Sequence, residues 1–468
     1  MSGLTFDTIV RWLTEDGHLV SQVAVIGAPL PEDVSVACVD SRLARPRCLF
    51  VALPGERTDG HAFIDHAVQG GATVALVAAD RLAAVRKQVF GSVRLVPVDD
   101  TLAALQSLAK RWRIQFPALK RIGITGSNGK TTTKELLASV LGLAGSTVYS
   151  HGNHNSDIGL PLELLRIREE HVYGVFEMGM NRVGEIRQLA ELVEPDIGVI
   201  TNVGRAHIGM VGTQEGIARE KRQIFSTFSG RQIAVIPASD RFASLLGEGV
   251  EGEVVRYSMA SAGVTRVEHL GIDGALLHCD EGAIRLLLPG AQMVMNALAV
   301  MTVARLLDIP FALIGDGIER VEPVFGRAEV IRGPVTVIQD CYNANPESMR
   351  SALELLASVE TEGRRLAILG SMKELGPESA AAHAEVVELA SEFALDLLWF
   401  VGDEFAEAVG ELGGGASGAV RAFRSDEWDR LVGALVAIEP GDTVLLKGSR
   451  AVALERLTPV LMQTGGAA

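Results

Sequence analysis

Residues 126–132 combine glycines, a lysine and threonines in the way that phosphate-binding loops do. The stretch reads Gly-Ser-Asn-Gly-Lys-Thr-Thr, and an apolar run that begins at Ile122 precedes it while leucines at helical spacing follow it. This order predicts a strand, a loop and a helix. Backbone N–H groups and the helix dipole would face an anion, Lys130 would add positive charge, and the Thr131 hydroxyl could ligate Mg²⁺. Because Ile124 stands where the strict motif has glycine, a glycine-rich cap on an ordinary helix is the alternative.

Two further polar side chains follow predicted strands of the same region. Glu177 ends the apolar run 173–177, and His207 comes shortly after the run 196–201. The carboxyl ends of parallel strands meet at one edge of a sheet, so both side chains are expected near the loop. A carboxylate there can hold Mg²⁺, and a neutral imidazole can ligate a metal. The alternatives are a helix cap for Glu177 and an ordinary hydrogen-bonded histidine for His207.

Other charged residues have a simpler interpretation when each is taken alone. Lys221 lies in a helical pattern over 217–225, where the charges are typical of a solvated face. His151 and His154 stand three apart in a loop rich in glycine and asparagine, which favours turn formation over metal binding. Neither pattern by itself predicts a catalytic or metal-binding site.

The order of apolar runs predicts an α/β protein of three domains. Strands and helices alternate along the chain, which builds mostly parallel sheets, and 468 residues are too many for one core. We predict a small α/β N-terminal domain over 1–97 and a central phosphate-loop ATPase-like doubly wound sheet over 98–324. A Rossmann-like C-terminal domain without a phosphate loop is predicted over 325–468.

Composition excludes several classes of protein. The formal net charge of −15 disfavours nucleic-acid binding, since a phosphate backbone would be repelled. Charged residues or proline interrupt every apolar run before the roughly 18 residues that a membrane helix needs. The start of the chain lacks the pattern of a secretory signal, so we expect a cytoplasmic protein. The four cysteines show no Cys-x-x-Cys spacing, which argues against a zinc site or a disulfide framework.

Taken together, these motifs resemble the Mur ligases, which are cytoplasmic ATP-dependent enzymes that add amino acids to the peptidoglycan precursor. The resemblance covers nearly the whole chain. Residues 340–349 and 369–375 are similar to the family member that adds D-alanyl-D-alanine to UDP-N-acetylmuramoyl-tripeptide. The resemblance rests on residues 126–132, Asn153, Asn155, Gly159, Pro161, 176–179, 201–207, 221–225, Gly326, Arg327 and 447–450.

The resemblance implies a mechanism and a set of site residues. ATP would phosphorylate a carboxylate, and an amine would attack the resulting acyl phosphate; Mg²⁺ and lysine stabilise the negative charge of both steps. The implied catalytic residues are Lys130, Glu177, His207 and Lys221. ATP would be bound by Gly126, Ser127, Asn128, Gly129, Lys130, Thr131, Thr132, Asn296 (adenine), Arg327 (phosphates) and Asp340 (ribose). Thr131, Glu177, His207 and a carbamylated Lys221 would hold Mg²⁺. The substrates would be bound by Ser41, Arg42, Asp59, His61, Asn155, Asn343, Asn345 and Ser348.

This sequence departs from the family pattern at three places. The family usually has His-Asn where Gln292-Met293 stand, Gly-Asp where Arg47-Cys48 stand, and Asp where Ser371 stands. None of these touches the phosphate loop or the four implied catalytic residues, so the resemblance still implies activity.

The expected partners are UDP-N-acetylmuramoyl-tripeptide and D-alanyl-D-alanine, and the protein is expected to be a monomer without membrane insertion. The alternatives are the ligase that adds the third amino acid, folylpolyglutamate synthase, a nucleotide-gated switch, and an inactive protein with the same fold. Intact phosphate-loop residues disfavour the last of these.

Overall fold

The computed structural model describes residues 4–55, 58–411 and 419–463. It is an α/β protein with three mostly parallel sheets in succession and one small antiparallel sheet. No helix within these residues is both long and apolar enough to span a lipid bilayer. The predicted fold class is therefore confirmed.

The first sheet has five strands in the order β1-β5-β4-β3-β2, and only β1 is antiparallel to its neighbour. Strands β3 to β5 are buried along nearly their whole length, as expected for parallel strands covered on both faces. The strands are β1 (Ala24–Ile26), β2 (Val36–Cys38), β3 (Cys48–Val51), β4 (Ala72–Ala78) and β5 (Val93–Val98); the helices are α1 (Phe6–Glu15), α2 (Ile64–Gln69), α3 (Leu82–Gln88) and α4 (Thr101–Ile114).

The central sheet is fully parallel, in the order β11-β10-β9-β6-β8-β7, and the small antiparallel sheet comprises β12, β13 and β14. The strands are β6 (Lys120–Thr125), β7 (Thr147–Tyr149), β8 (Tyr173–Glu177), β9 (Ile197–Ile200), β10 (Ile233–Pro237), β11 (Glu253–Tyr257), β12 (Val264–His269), β13 (Ala275–Cys279) and β14 (Gly282–Leu286). The helices are α5 (Lys130–Ala144), α6 (Gly159–Leu164), α7 (Glu185–Val193), α8 (Ile208–Val211), α9 (Gln214–Arg222), α10 (Ala243–Gly247), α11 (Met259–Ala262), α12 (Ala291–Leu306) and α13 (Phe311–Glu319).

The third large sheet has the order β15-β16-β20-β17-β18-β19, with β15 antiparallel to β16 and the other pairs parallel. The strands are β15 (Glu329–Ile331), β16 (Thr336–Asp340), β17 (Arg365–Gly370), β18 (Leu397–Val401), β19 (Val420–Phe423) and β20 (Thr443–Lys447). The helices are α14 (Pro346–Ser358), α15 (Ser379–Ser391), α16 (Asp403–Glu411), α17 (Trp428–Ala434) and α18 (Thr458–Leu461).

The register of the central sheet places the site residues at one edge. Ile124 of β6 is paired with Glu177 of β8 and with Val199 of β9, so the three strands end side by side. The loop 126–129 therefore leaves the sheet beside Glu177. The exact domain boundaries stay predictions; β5 extends to Val98, one residue beyond the predicted boundary at 97.

Candidate active site

A cavity of about 1020 Å³ lies between the central sheet and the C-terminal sheet. The loop 127–132, Glu177 and His207 line one side, and residues after β16 and β20 line the other. The carboxyl ends of both sheets thus open into one space, which is where ligands bind in open α/β sheets. The predicted nucleotide site and the start of the C-terminal domain are brought together here.

The backbone of loop 126–129 adopts conformations that favour glycine at two positions, as its two glycines predict. Gly126 and Gly129 have φ of 154° and 81°, and Gly129 caps the N-terminus of the 15-residue helix α5. A Cβ on Gly126 would lie 1.8 Å from Oγ1 of Thr201, and one on Gly129 would lie 2.3 Å from Oδ1 of Asn296. Only glycine fits at either position, so the first N–H groups of α5 stay open toward the cavity for an anion.

We expect Gly129→Ala to raise the KM for ATP about tenfold or more and to lower the melting temperature, because a left-handed alanine costs about 1–2 kcal/mol and its Cβ would displace Asn296. Steady-state kinetics and thermal unfolding measure both effects. The control is Gly142→Ala in the same helix, where a Cβ meets nothing within 4 Å outside the helix; this change should stabilise by about 0.5–1 kcal/mol. An unchanged KM for ATP in Gly129→Ala would contradict the loop's role.

The ammonium of Lys130 is folded onto its own loop. Its Nζ donates to the carbonyl oxygen of Gly126 at 2.8 Å and to that of Ser127 at 3.4 Å. Burial lowers the pKa of Lys130 and the charge of Arg327 adds to this, while Glu177 and Glu374 oppose it. A bound anion would favour the charged form of this lysine, which suits a residue that contacts phosphates.

Glu177 presents one free carboxylate oxygen at the cavity. Its Oε1 accepts a hydrogen bond from Nδ2 of Asn155 at 2.8 Å, whereas its buried Oε2 has no partner among the described residues. A buried, unpartnered carboxylate oxygen is costly unless a cation or water satisfies it. Thr131 and Glu177 both line the cavity, and their hydroxyl and carboxylate oxygens are of the kind that Mg²⁺ prefers.

No group of three or more His, Cys, Asp or Glu side chains within the described part of the chain could hold a metal. That result is compatible with Mg²⁺, since the ion usually keeps several waters and takes phosphate oxygens alongside one or two carboxylates. Mg²⁺ binding by Thr131, Glu177 and His207 therefore stays a prediction, which the unpartnered Oε2 of Glu177 supports.

His207 and Lys221 have unusual surroundings. His207 adopts a left-handed conformation with φ of 64°, and its Nδ1 lies 3.0 Å from Oε2 of Glu374 in the C-terminal domain. Lys221 is only 1% exposed, and burial above all lowers the pKa of its ammonium well below the ordinary value, with the nearby charge of Lys130 adding to the effect and Glu220 opposing it. The helical pattern alone indicated a solvated side chain, and the structure corrects that interpretation.

Asp340 and Arg327 face the cavity from the C-terminal side. Oδ2 of Asp340 accepts a hydrogen bond from Nζ of Lys447 at 2.7 Å, because the two residues are register partners on β16 and β20. Arg327 lies over the ring of Tyr342, 4.3 Å from its centroid, and its buried Nε has no hydrogen-bond partner among the described residues. Lys447 was not predicted as a site residue, although the motif 447–450 at a strand end marked it.

Three family models match successive parts of the chain. The Mur ligase family, catalytic domain matches residues 34–113, the Mur ligase middle domain matches 124–304, and the Mur ligase, glutamate ligase domain matches 326–450. The chain is 43% identical over 430 residues to the UDP-N-acetylmuramoyl-tripeptide--D-alanyl-D-alanine ligase of Treponema pallidum (strain Nichols), covering 90% of this chain and 92% of that protein. The chain belongs to the Mur ligase family.

Solved structures of Mur ligases have the same architecture. MurF from Acinetobacter baumannii superposes with a TM-score of 0.81 at 33% identity, covering 94% of this chain and 95% of that one. MurF ligase from Thermotoga maritima in complex with ADP superposes with a TM-score of 0.76 at 27% identity, covering 92% and 97%. These matches confirm the predicted three-domain α/β architecture.

Asn296 lies behind the phosphate loop, and its predicted contact with adenine stays a prediction. It is 1% exposed and lies behind Gly129, where Nε2 of Gln292 donates to its Oδ1 at 3.2 Å. Gln292 and Met293 line the cavity, and Asn296 is absent from that lining within the described chain. We therefore propose that in this Mur ligase Asn296 supports the loop, and that the two residues at which the sequence departs from the family pattern face the nucleotide.

Asn345 and Ser348 cap α14, and Asn345 also joins the two domains. The side chain of Asn345 accepts from the backbone N–H of Ser348 at 2.9 Å, and Oγ of Ser348 accepts from the N–H of Asn345 at 3.0 Å. Nδ2 of Asn345 also donates to Oδ1 of Asn128 in the phosphate loop at 2.8 Å. Ser348 and Asn343 line the cavity, whereas Asn345 is 2% exposed and outside the described lining. Substrate binding by all three stays a prediction.

The four predicted N-terminal site residues do not line this cavity in the described structure. Ser41 bonds with His66 across 2.9 Å, and Arg42 is paired with Asp40. His61 uses both ring nitrogens: Nδ1 lies 2.6 Å from Oδ1 of Asp59, and Nε2 accepts the N–H of Ala78 at 2.9 Å. With no free ring nitrogen, His61 is suited to holding Asp59 in place; direct substrate contact by Ser41, Arg42 and Asp59 stays a prediction.

Proposed function

We propose that this protein joins D-alanyl-D-alanine to UDP-N-acetylmuramoyl-tripeptide and uses ATP, with release of ADP and phosphate. It is an ATP-dependent ligase of peptidoglycan synthesis, and its relatives bear the name of this activity. The observation that carries the proposal is the cavity in which the phosphate loop faces the start of α14. A carboxylate phosphorylated at that loop must meet an amine before water reaches it. Because ATP is consumed, we place the reaction in the cytoplasm.

The residues of the central domain stabilise charge during both chemical steps. The γ-phosphoryl group passes from ATP to the tripeptide carboxylate, which gives an acyl phosphate and ADP. The dipeptide amine then attacks the acyl carbon, a peptide bond forms, phosphate leaves and the nitrogen loses a proton. Negative charge gathers on oxygen in both steps, and Lys130 with the N-terminus of α5 would stabilise it; the position of Lys130 beside the phosphate loop supports this role.

Residues of the C-terminal domain form the second wall of the cavity. Asp340 would accept a hydrogen bond from a ribose hydroxyl and Arg327 would contact the phosphates; the contact of Asp340 with Lys447 and the position of both residues in the cavity lining support these roles. Asn343 and Ser348 line the wall that the dipeptide would approach. Ser41, Arg42 and Asp59 are proposed to bind the uridine diphosphate end of the other substrate.

Mg²⁺ is part of the proposal. Thr131 and Glu177 would hold one ion, and His207 with a carbamylated Lys221 would hold a second. Such ions neutralise phosphate charge and polarise the phosphoryl group. The free Oε2 of Glu177 supports the first site, and the low pKa of the buried Lys221 supports the carbamate, because CO₂ reacts with the neutral amine.

The test is phosphate release from ATP and Mg²⁺ with UDP-N-acetylmuramoyl-tripeptide, with and without D-alanyl-D-alanine, together with the mass of the product. We expect release that needs both substrates and a product heavier by one dipeptide. Release that is indifferent to the dipeptide contradicts the proposal and favours a nucleotide-gated switch. The same assay is repeated with UDP-N-acetylmuramoyl-dipeptide and single amino acids. Phosphate release only under those conditions favours the ligase that adds the third amino acid.

A further inference from the structure

Arg205 binds two helices of the C-terminal domain from a loop of the central domain. Its Nε donates to Oε1 of Glu347 at 2.9 Å, and its backbone N–H donates to Oε2 of the same carboxylate at 3.2 Å. Its two terminal nitrogens donate to Glu385, at 2.6 Å to Oε2 and 2.8 Å to Oε1. Glu347 lies on α14 and Glu385 on α15, so one guanidinium fixes both helices.

The loop that carries Arg205 also supports the phosphate loop. The N–H of Gly204 donates to Oγ of Ser127 at 2.8 Å, and the N–H of Asn128 donates to Oδ1 of Asn202 at 2.9 Å. Asn128 in turn bonds with Asn345, the cap of α14. A continuous set of hydrogen bonds therefore runs from the phosphate loop through residues 202–205 to the start of α14.

Position 205 requires an arginine to bind both carboxylates at once. A guanidinium is a planar fork with five donors, so it can bind one carboxylate with two nitrogens and still reach another. A lysine ammonium cannot span both. The three side chains are only partly exposed, at 24% for Arg205, 35% for Glu347 and 42% for Glu385, so solvent screens the pairs incompletely. Without Arg205, the two carboxylates would lose the one guanidinium that pairs with both of them.

We propose that Arg205 is a positioning residue that sets the C-terminal wall of the cavity against the phosphate loop. Asn343 and Ser348 flank the segment that Arg205 and Asn128 hold, so their distance from the nucleotide depends on this contact. Arg205 does not line the cavity in the described chain, and it acts through Glu347 and Glu385. The inference rests on the proposed function, because it assigns the incoming dipeptide to that wall.

Arg205→Ala tests the assignment because its effect on the KM for the dipeptide can be compared with its effect on the KM for ATP. We expect the KM for D-alanyl-D-alanine to rise about tenfold and the KM for ATP to rise by a clearly smaller factor, because the dipeptide would be held by the C-terminal wall alone whereas ATP would also keep its contacts with the phosphate loop of the central domain. Arg205→Lys should give an intermediate rise. Small-angle X-ray scattering with a non-hydrolysable ATP analogue and the UDP-precursor should show a larger radius of gyration for Arg205→Ala than for the wild type.

A double-mutant comparison with Glu385 tests whether Arg205 acts through this carboxylate. Glu385 suits the comparison because it is not among the described residues that line the cavity. Glu385→Ala should raise the dipeptide KM less than Arg205→Ala does, and the double variant should be no worse than Arg205→Ala alone. Arg187→Ala is the matched control, because Arg187 forms an exposed ion pair with Glu191 inside one helix; it should leave both KM values unchanged.

An unchanged dipeptide KM in Arg205→Ala, or an equal rise of both KM values, would overturn the assignment. If the wild type forms no dipeptide product, the proposed function fails instead, and the scattering comparison of Arg205→Ala with the wild type still decides whether Arg205 holds the domains together.

Discussion

Lys221→Ala is expected to lower the ligation rate by about a thousandfold, and short carboxylic acids in the buffer are expected to restore part of it. Lys221 is buried, and both this burial and the nearby charge of Lys130 disfavour a charged ammonium. A positively charged lysine is unfavourable there, whereas a carbamate would add an anionic oxygen ligand near two cations. Alanine leaves a space in which formate or acetate can supply that oxygen.

The measurement is the rate of ADP and product formation with and without added formate, acetate or propionate. Arg219→Ala on the same helix is the control, since Arg219 is exposed and paired with Glu215; it should keep the wild-type rate and show no response to carboxylates. Full activity of Lys221→Ala would contradict the carbamate hypothesis. So would a folded, inactive variant on which none of the carboxylic acids has any effect.

Glu177→Gln is expected to lower kcat about a hundredfold while the KM for ATP changes far less, and to raise the Mg²⁺ concentration needed for half-maximal rate. The amide can still accept the hydrogen bond from Asn155, but it removes the negative charge that the free Oε2 offers to a cation. The same change removes a carboxylate whose Oε2 has no partner, but it also removes the attraction of that carboxylate to Lys130, so the melting temperature without Mg²⁺ should change little.

Two comparisons make the Glu177 result specific. Asn155→Ala should shift the Mg²⁺ requirement in the same direction by a smaller factor, because it frees Glu177 to move without removing its charge. Glu215→Gln, an exposed carboxylate on α9, should change nothing. A Glu177→Gln enzyme with the wild-type rate and Mg²⁺ requirement would remove this residue from the metal site.

Much of the architecture was predictable because buried strands carry a strong local signal. The predicted run 173–177 coincides with β8, and the predicted run 196–201 contains β9. Parallel strands covered on both faces are continuously apolar, and the turn residues that follow them mark their ends. The short strands β2, β7 and β19 have three or four residues each and gave no such run.

The candidate site was predictable where a motif fixes its own geometry, as in the loop 126–132. There the glycines, the lysine and the helix start are local, so composition and order dictate the backbone that an anion would meet. The positions of Glu177 and His207 followed from the rule that parallel strands end at one edge. The family resemblance added their implied roles, which stay predictions.

The tertiary structure decided what each side chain faces. Periodicity placed Lys221 on a charged helix face, but packing buried it; Asn296 lies behind Gly129, and both nitrogens of His61 are used inside its own domain. The contacts of Arg205 with Glu385 and of Asn128 with Asn345 join residues 180 and 217 positions apart. A local pattern reports one element's spacing, whereas burial and pairing depend on which other element packs against it. The sequence by itself determined the order of elements and the phosphate loop, and only the packing of the sheets determined which polar groups share the cavity and which ones hold it together.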